Sequence, residues 1–144
     1  MTDSQVNSLE LAEDMIAIDA ASLTQDDIAQ LQRLVLDYAA VSMCGSVQPW
    51  GRKLRDWAND QQTTGNARLI GSGELVNAAT AALANGTSAH GYELDDTHEA
   101  SNSHPGAVVI SAALAAAAAT GTQGRDELAA IAAGYETIAR IGRA

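Results

Sequence analysis

The stretch His104-Pro105-Gly106-Ala107-Val108-Val109-Ile110-Ser111-Ala112-Ala113-Leu114-Ala115-Ala116-Ala117-Ala118-Ala119-Thr120, closed by Gly121, decides the fold. Pro105 suits the first turn of a helix, where its missing N–H has no partner to lose and its fixed φ is already helical. Ala and Leu then favour the helix throughout, and the near absence of polar side chains predicts a buried one over residues 106–120. The apolar run is shorter than the roughly twenty residues a membrane crossing requires. A helix of this kind needs other helices around it.

Working outward, Gly121 and Gly124 mark a turn, and residues 125–144 place acids first and arginines last around Leu128, Ile131, Ala132, Tyr135, Ile138 and Ile141 at helical spacing. That pattern stops at Ala144 without a capping signal, so the chain is expected to be a portion of a larger helical unit. On the other side, Ser72 is expected to open a helix over residues 74–85, with Leu75, Ala78, Ala79, Ala82 and Leu83 inward and Gly86 ending it. Residues 67–70 read as an extended connector between Gly65 and Gly71. A helix after Pro49 turns Leu54, Trp57 and Ala58 inward; Trp50 is also expected in the core. The clearest amphipathic helix starts at the N-cap Thr24, has Asp26 and Asp27 in its first turn, and carries Ile28, Leu31, Leu34, Val35, Tyr38 and Val41 until Gly45. Cys44, in this apolar setting, reads as a structural thiol. Leu9, Ala12 and Ile16 form a weaker stripe. The expected organisation is an all-α chain with an N-terminal docking arm at 1–22 and a helical domain at 23–144, without internal repeats.

Composition excludes several classes. With 144 residues the chain is one domain or part of one. Eighteen acidic against eight basic residues, a net charge of -10, would repel a polyphosphate, so nucleic acid is not an expected partner. A single cysteine forms no intramolecular disulfide and no cysteine-ligated zinc or iron–sulfur centre. The N-terminus has acids and no basic residue before its first apolar stretch, the wrong polarity for a signal peptide, and the expected location is cytoplasmic.

All three histidines, His90, His98 and His104, fall in one short window with Tyr92, Glu93, Asp95, Asp96, Thr97 and Glu99. A loop between two Ala-rich helices can hold such side chains against a cleft. Carboxylates crowded in a dry site cannot all ionise, so one of them is expected to hold a proton near neutrality beside histidines that titrate there. That mixture suits proton removal next to a carboxyl group and protonation of a leaving group. His104 is expected at the mouth of the following helix, whose positive end favours an anionic substrate. Other readings compete. Asp95 and Asp96 equally suit turns and caps. His90, Asp95, Asp96 and His98 include ligand types for a divalent ion, although no HExxH or EF-hand spacing organises them, and the expectation is no metal and no cofactor. Tyr92 packs as readily as it reacts, and Glu99 reads as solvated.

The run Asn85-Gly86-Thr87-Ser88-Ala89-His90-Gly91-Tyr92-Glu93-Leu94-Asp95-Asp96-Thr97-His98, then His104-Pro105-Gly106-Ala107, and finally Gly134-Tyr135-Glu136 with Arg140-Ile141-Gly142, resembles the MmgE/PrpD family. The resemblance implies a large helical domain, here only its N-terminal part, with a smaller lid domain absent. It also implies cofactor-independent chemistry of the 2-methylcitrate dehydratase, cis-aconitate decarboxylase or iminodisuccinate epimerase type on a small carboxylic acid. By the same resemblance the loop from Glu93 to Thr97, and His104, line the active site. The family usually has Asp where this chain has Glu93, whose longer arm shifts the carboxyl group. Further catalytic His and Lys residues and the lid would lie beyond Ala144.

No Lys or Arg occurs between Arg68 and Arg125, so a carboxylate substrate has no permanent cation in this window. A second polypeptide in a hetero-oligomer, or a further stretch of the same polypeptide, is therefore expected to supply it. The resulting expectation is a subunit or segment of a lyase or isomerase. Asp95, His104, Glu93, Asp96 and His98 are its catalytic candidates, with Asp95 and His104 as the proton-handling pair. His90, Thr97 and Tyr92 are its substrate-binding candidates. A non-catalytic assembly or ligand-binding partner, and a metal-dependent hydrolase, are the alternatives.

Overall fold

The structure is a computed structural model that describes residues 8–144. In chain order these residues form α1 (Ser8–Ile16), α2 (Gln25–Ser46), α3 (Pro49–Asp60), β1 (Ala67–Arg68), β2 (Leu75–Val76), α4 (Ala78–His90), a single 3-10 turn (Glu99–Ser101), α5 (Pro105–Thr120) and α6 (Arg125–Arg143). The architecture is all-α, the only sheet among the described residues being the two-stranded β1–β2 pair.

Local chemistry sets the helix ends. Thr24 caps α2 in a full capping box: its Oγ1 accepts from the Asp27 amide, and the Asp27 carboxylate accepts from the Thr24 amide at 2.9 Å. The hydrogen bond that the Thr24 hydroxyl donates to this carboxylate at 2.6 Å, and then the one from the Thr24 amide, hold the Asp27 carboxyl below its ordinary value. α5 starts at Pro105 and ends at Gly121, whose φ of 77° gives the left-handed C-cap that glycine takes without strain.

The expected helix over residues 74–85 is shifted. Leu75 and Val76 instead pair antiparallel with Arg68 and Ala67, burying Val76 and leaving Leu75 exposed. The Asn77 side chain then accepts from the Thr80 amide at 2.8 Å and starts α4 at Ala78. Nor does Gly86 end the helix. It lies within α4, where an added Cβ would come 2.8 Å from the Ala107 carbonyl oxygen and 2.9 Å from the Ser111 hydroxyl. Close packing of α4 on α5 requires a glycine there, and α4 runs on to deliver His90 in its last turn.

Two apolar clusters hold the bundle. The first joins Leu31 and Tyr38 of α2 to Ala89, Ala107, Ile110, Ala129 and Ile131, drawing α2, α4, α5 and α6 together. The second packs Ala58, Ala67, Leu69, Val76, Ala81, Ala84 and Ala115, seating α3 and the small sheet on the other side of α4. Several expectations about the core are corrected: Ala79 and Leu83 of α4, expected inward, are exposed. Trp57 is 37% exposed, because its position on α3 faces away from Gly51 and Ala58, which are buried. Trp50 is only partly buried, its ring standing edge-on to Tyr92 at 5.0 Å. Cys44 is exposed. α5 is also not buried all round: Val108, Ala112 and Ala116, one turn apart, form an exposed apolar stripe.

Of the arm expected at 1–22, residues 1–7 lie outside the described ones, and residues 8–22 contact α6 of the same chain. Asp14 pairs with Arg140, and the Arg125 guanidinium donates to the carbonyls of Ala20 and Leu23, each at 2.8 Å. No helix among the described residues is long and apolar enough to cross a membrane.

Candidate functional site

The end of α4 and the start of α5 face each other, and the loop between them folds back so that Asp95 reaches both. Asp95 is buried, its side chain 2% exposed, with Oδ1 3.1 Å from Nδ1 of His90 and 3.4 Å from Nδ1 of His104. The two imidazoles meet edge-on with centroids 4.8 Å apart. Nδ1 of His104 is itself buried, and its approach to Asp95 lacks hydrogen-bond geometry. His90 and His104 are each partly open to solvent, so protons and small ligands can reach the rings while the carboxylate stays dry.

These two imidazoles lie on a groove of about 650 Å³ between α4 and α5. Leu83, Gly86, Val108, Ala112 and Ile138 give it an apolar wall, and Thr87, Asn102 and Ser103 a few polar groups. None of its lining residues is Lys or Arg.

Asp96 faces the other way. Its Oδ1 accepts from the Gly106 amide at 2.8 Å, and its Oδ2 accepts from the Tyr135 hydroxyl at 2.7 Å. The N-terminus of α5 is thus answered by a carboxylate of the protein itself, and the positive helix end expected to greet an anionic substrate is already occupied. Burial first, and then the Asp96 carboxylate it donates to, keep the Tyr135 phenol protonated well above the ordinary tyrosine range.

The remaining sequence candidates are dispersed, so the crowd of carboxylates in one dry site does not form. His98 bonds Ser101 through Nδ1 at 2.7 Å, and Ser101 continues to Ser103 at 2.6 Å. This small hydroxyl chain closes the turn that ends at Asn102, a left-handed residue. Glu93, Thr97 and Tyr92 are exposed. Glu93 adopts a left-handed φ of 52°, while its amide bonds the His90 carbonyl at 2.8 Å and so turns the chain off α4. That conformation is mildly costly for any residue with a Cβ, and less so for aspartate or asparagine.

Sequence reasoning placed Tyr135 in the apolar stripe of the last helix and gave neither Tyr135 nor Gly142 a part in the site. Gly142 lies against Ser101, where an added Cβ would come 2.5 Å from the Ser101 carbonyl oxygen, so α6 approaches the site turn closely. The signal available was that Tyr135 and Gly142 belong to the sequence blocks quoted with the histidines, but their partners lie far away in the chain.

The histidine-and-acid window and the bundle that presents it are matched elsewhere. The chain is 30% identical over 131 residues to a cis-aconitate decarboxylase-like protein of Aspergillus oryzae, a match covering 86% of this chain and 27% of that relative. The chain therefore spans about a quarter of the length of the curated relative it matches. No solved structure gives a significant match. The MmgE/PrpD N-terminal domain family matches residues 9–144, nearly the whole of the helical bundle and the complete site window, and the chain belongs to that family.

Proposed function

We propose that this chain is a subunit or segment of a cofactor-independent lyase or isomerase acting on a small carboxylic acid, and that His104 and His90, oriented by Asp95, handle the transferred proton. The observation that carries this reading is the buried Asp95 carboxylate set between two imidazoles that open onto the α4–α5 groove. At His90 the carboxylate accepts from Nδ1, which fixes the tautomer and leaves the far nitrogen to take or give a proton, while at His104 the same carboxylate, 3.4 Å from Nδ1, favours the protonated ring by its charge. Asp96 supports the chemistry indirectly by holding the first turn of α5, and with it His104, in place. Glu93, Thr97 and Tyr92, at the exposed rim of the loop, are proposed to meet the substrate or the chain that covers it. His98 stiffens the turn.

The groove brings no cation for the substrate carboxylate, and its wall exposes Leu83 and Val108. We therefore assign the cationic half of the site and the cover over this wall to a complementary polypeptide, in a cytoplasmic hetero-oligomer. The test is to mix the chain with that polypeptide and assay dehydration, decarboxylation and epimerisation of dicarboxylic and tricarboxylic acids. The expected result is activity that His104→Ala abolishes and that chelators do not lower. Activity indifferent to His104→Ala would assign this chain to assembly or ligand capture, and activity abolished by chelators to metal-dependent hydrolysis.

A further inference from the structure

His90, Asp95 and His104 also satisfy, as a set, what a small divalent cation asks of a protein. We infer that they form a three-donor site for a zinc-like ion, bound through Nδ1 of both imidazoles and the Asp95 carboxylate. The inference concerns binding alone and does not depend on the reaction proposed above.

Geometry carries it. In a tetrahedral zinc site with Zn–N and Zn–O bonds of about 2.0–2.1 Å, neighbouring donor atoms sit about 3.3–3.4 Å apart. Asp95 Oδ1 lies 3.1 Å from His90 Nδ1 and 3.4 Å from His104 Nδ1. Donor atoms of the three residues all fall within 4.8 Å of one another, so small side-chain adjustments suffice to surround an ion. Two histidines and one carboxylate leave a fourth position, and the α4–α5 groove on which both imidazoles lie provides room for water or a small acid there.

Electrostatics supports the same assignment through a second observation. Asp95 is almost wholly buried, and no Lys or Arg pairs with it; buried carboxylates of this kind are ordinarily neutralised by a partner or a metal. Nδ1 of His104 is buried without a hydrogen bond and already directed at that carboxylate. A cation between them would satisfy both. The set differs from the one the sequence suggested, because Asp96 is engaged by Gly106 and Tyr135, and His98 by Ser101. His104 takes their place because α4 and α5 converge there.

The experiment is a calorimetric titration of the purified full chain with Zn²⁺ alone, repeated on Asp95→Asn and His104→Ala, with circular dichroism to establish that each variant is folded. The expected result is one ion per chain, with affinity falling by more than about 100-fold in either variant, beyond what loss of a mere outer-shell contact produces. Affinity should also fall as pH is lowered and protons compete for the ring nitrogens. Absence of binding, or binding that survives both substitutions, overturns the inference and leaves the proton chemistry of the site untouched. Should a variant fail to fold, the visible spectrum of the Co²⁺-loaded wild-type chain decides: an intense four-coordinate band supports the site, and a pale six-coordinate spectrum overturns it.

Discussion

Asp95 and Asp96 are consecutive residues on opposite sides of the first turn of α5, in different environments. Asp95 looks toward the groove, where His90 and His104 meet it. Asp96 looks toward the bundle interior, where the Gly106 amide and the Tyr135 hydroxyl meet it. On the groove side a buried charge is matched only by imidazoles, which can change protonation state. On the interior side it is matched by a backbone amide and a phenol, which do not do so near neutrality. The carboxylate proposed for chemistry is thus the one whose partners are imidazoles open to solvent, while its neighbour holds the first turn of the helix that carries His104.

The largest expected effect is on the groove side: in the enzyme proposed above, His104→Ala should lower kcat/KM by about 10²–10⁴-fold, the usual worth of a positioned acid or base, while the unfolding midpoint of the chain moves little. On the interior side, Gly106→Ala would put a methyl 2.6 Å from Asp96 Oδ1 and 3.0 Å from the Tyr135 hydroxyl. It should cost about 2 kcal/mol in urea unfolding, in the range for overpacking a tight contact. Unchanged stability would mean that this turn is looser than described.

Tyr135→Phe removes the phenol from Asp96 and should cost about 1–2 kcal/mol at neutral pH. Its pH signature has a definite sign. Tyr135 is raised in the folded chain, and Tyr38, buried in the first core cluster, is raised to about 12. Unfolding lets both ionise from about pH 10, the ordinary tyrosine value. Stability is therefore intact below about pH 10 and falls as pH rises beyond it. The alkaline limb of a pH series of urea melts should be shallower in both Tyr135→Phe and Tyr38→Phe. Tyr38→Phe should in addition be close to neutral at pH 7, because its buried hydroxyl makes no hydrogen bond of good geometry with Ser42 or Ser111 nearby. The smallest effect is at the exposed rim, where Glu93→Gly relieves a left-handed backbone and should stabilise the chain by up to about 1 kcal/mol.

Much of the bundle was legible in the sequence because its signals are local. The Thr24 cap, the Pro105 start, the Gly121 stop and the periodic stripe of α2 all act within a few residues, and each is found where expected. Legibility failed where tertiary contacts outweighed local propensity. Gly86 reads as a helix terminator, yet it is a contact glycine that lets α5 approach, and Leu75 reads as the first turn of a helix, yet pairing with Arg68 makes it a strand. The histidine-rich window was visible as a cluster in sequence, but periodicity cannot say which way an irregular loop turns each side chain. Asp95 and Asp96 look alike until Tyr135, a full helix away along the chain, selects one of them.

Urea unfolding of Asp95→Ala and Asp96→Ala side by side at neutral pH separates the structural aspartate from the one proposed for chemistry. Asp96→Ala, which strands the Gly106 amide and the Tyr135 hydroxyl, should lose about 3 kcal/mol, and Asp95→Ala less than about 1 kcal/mol. Equal losses, or the larger loss at Asp95, would contradict that division.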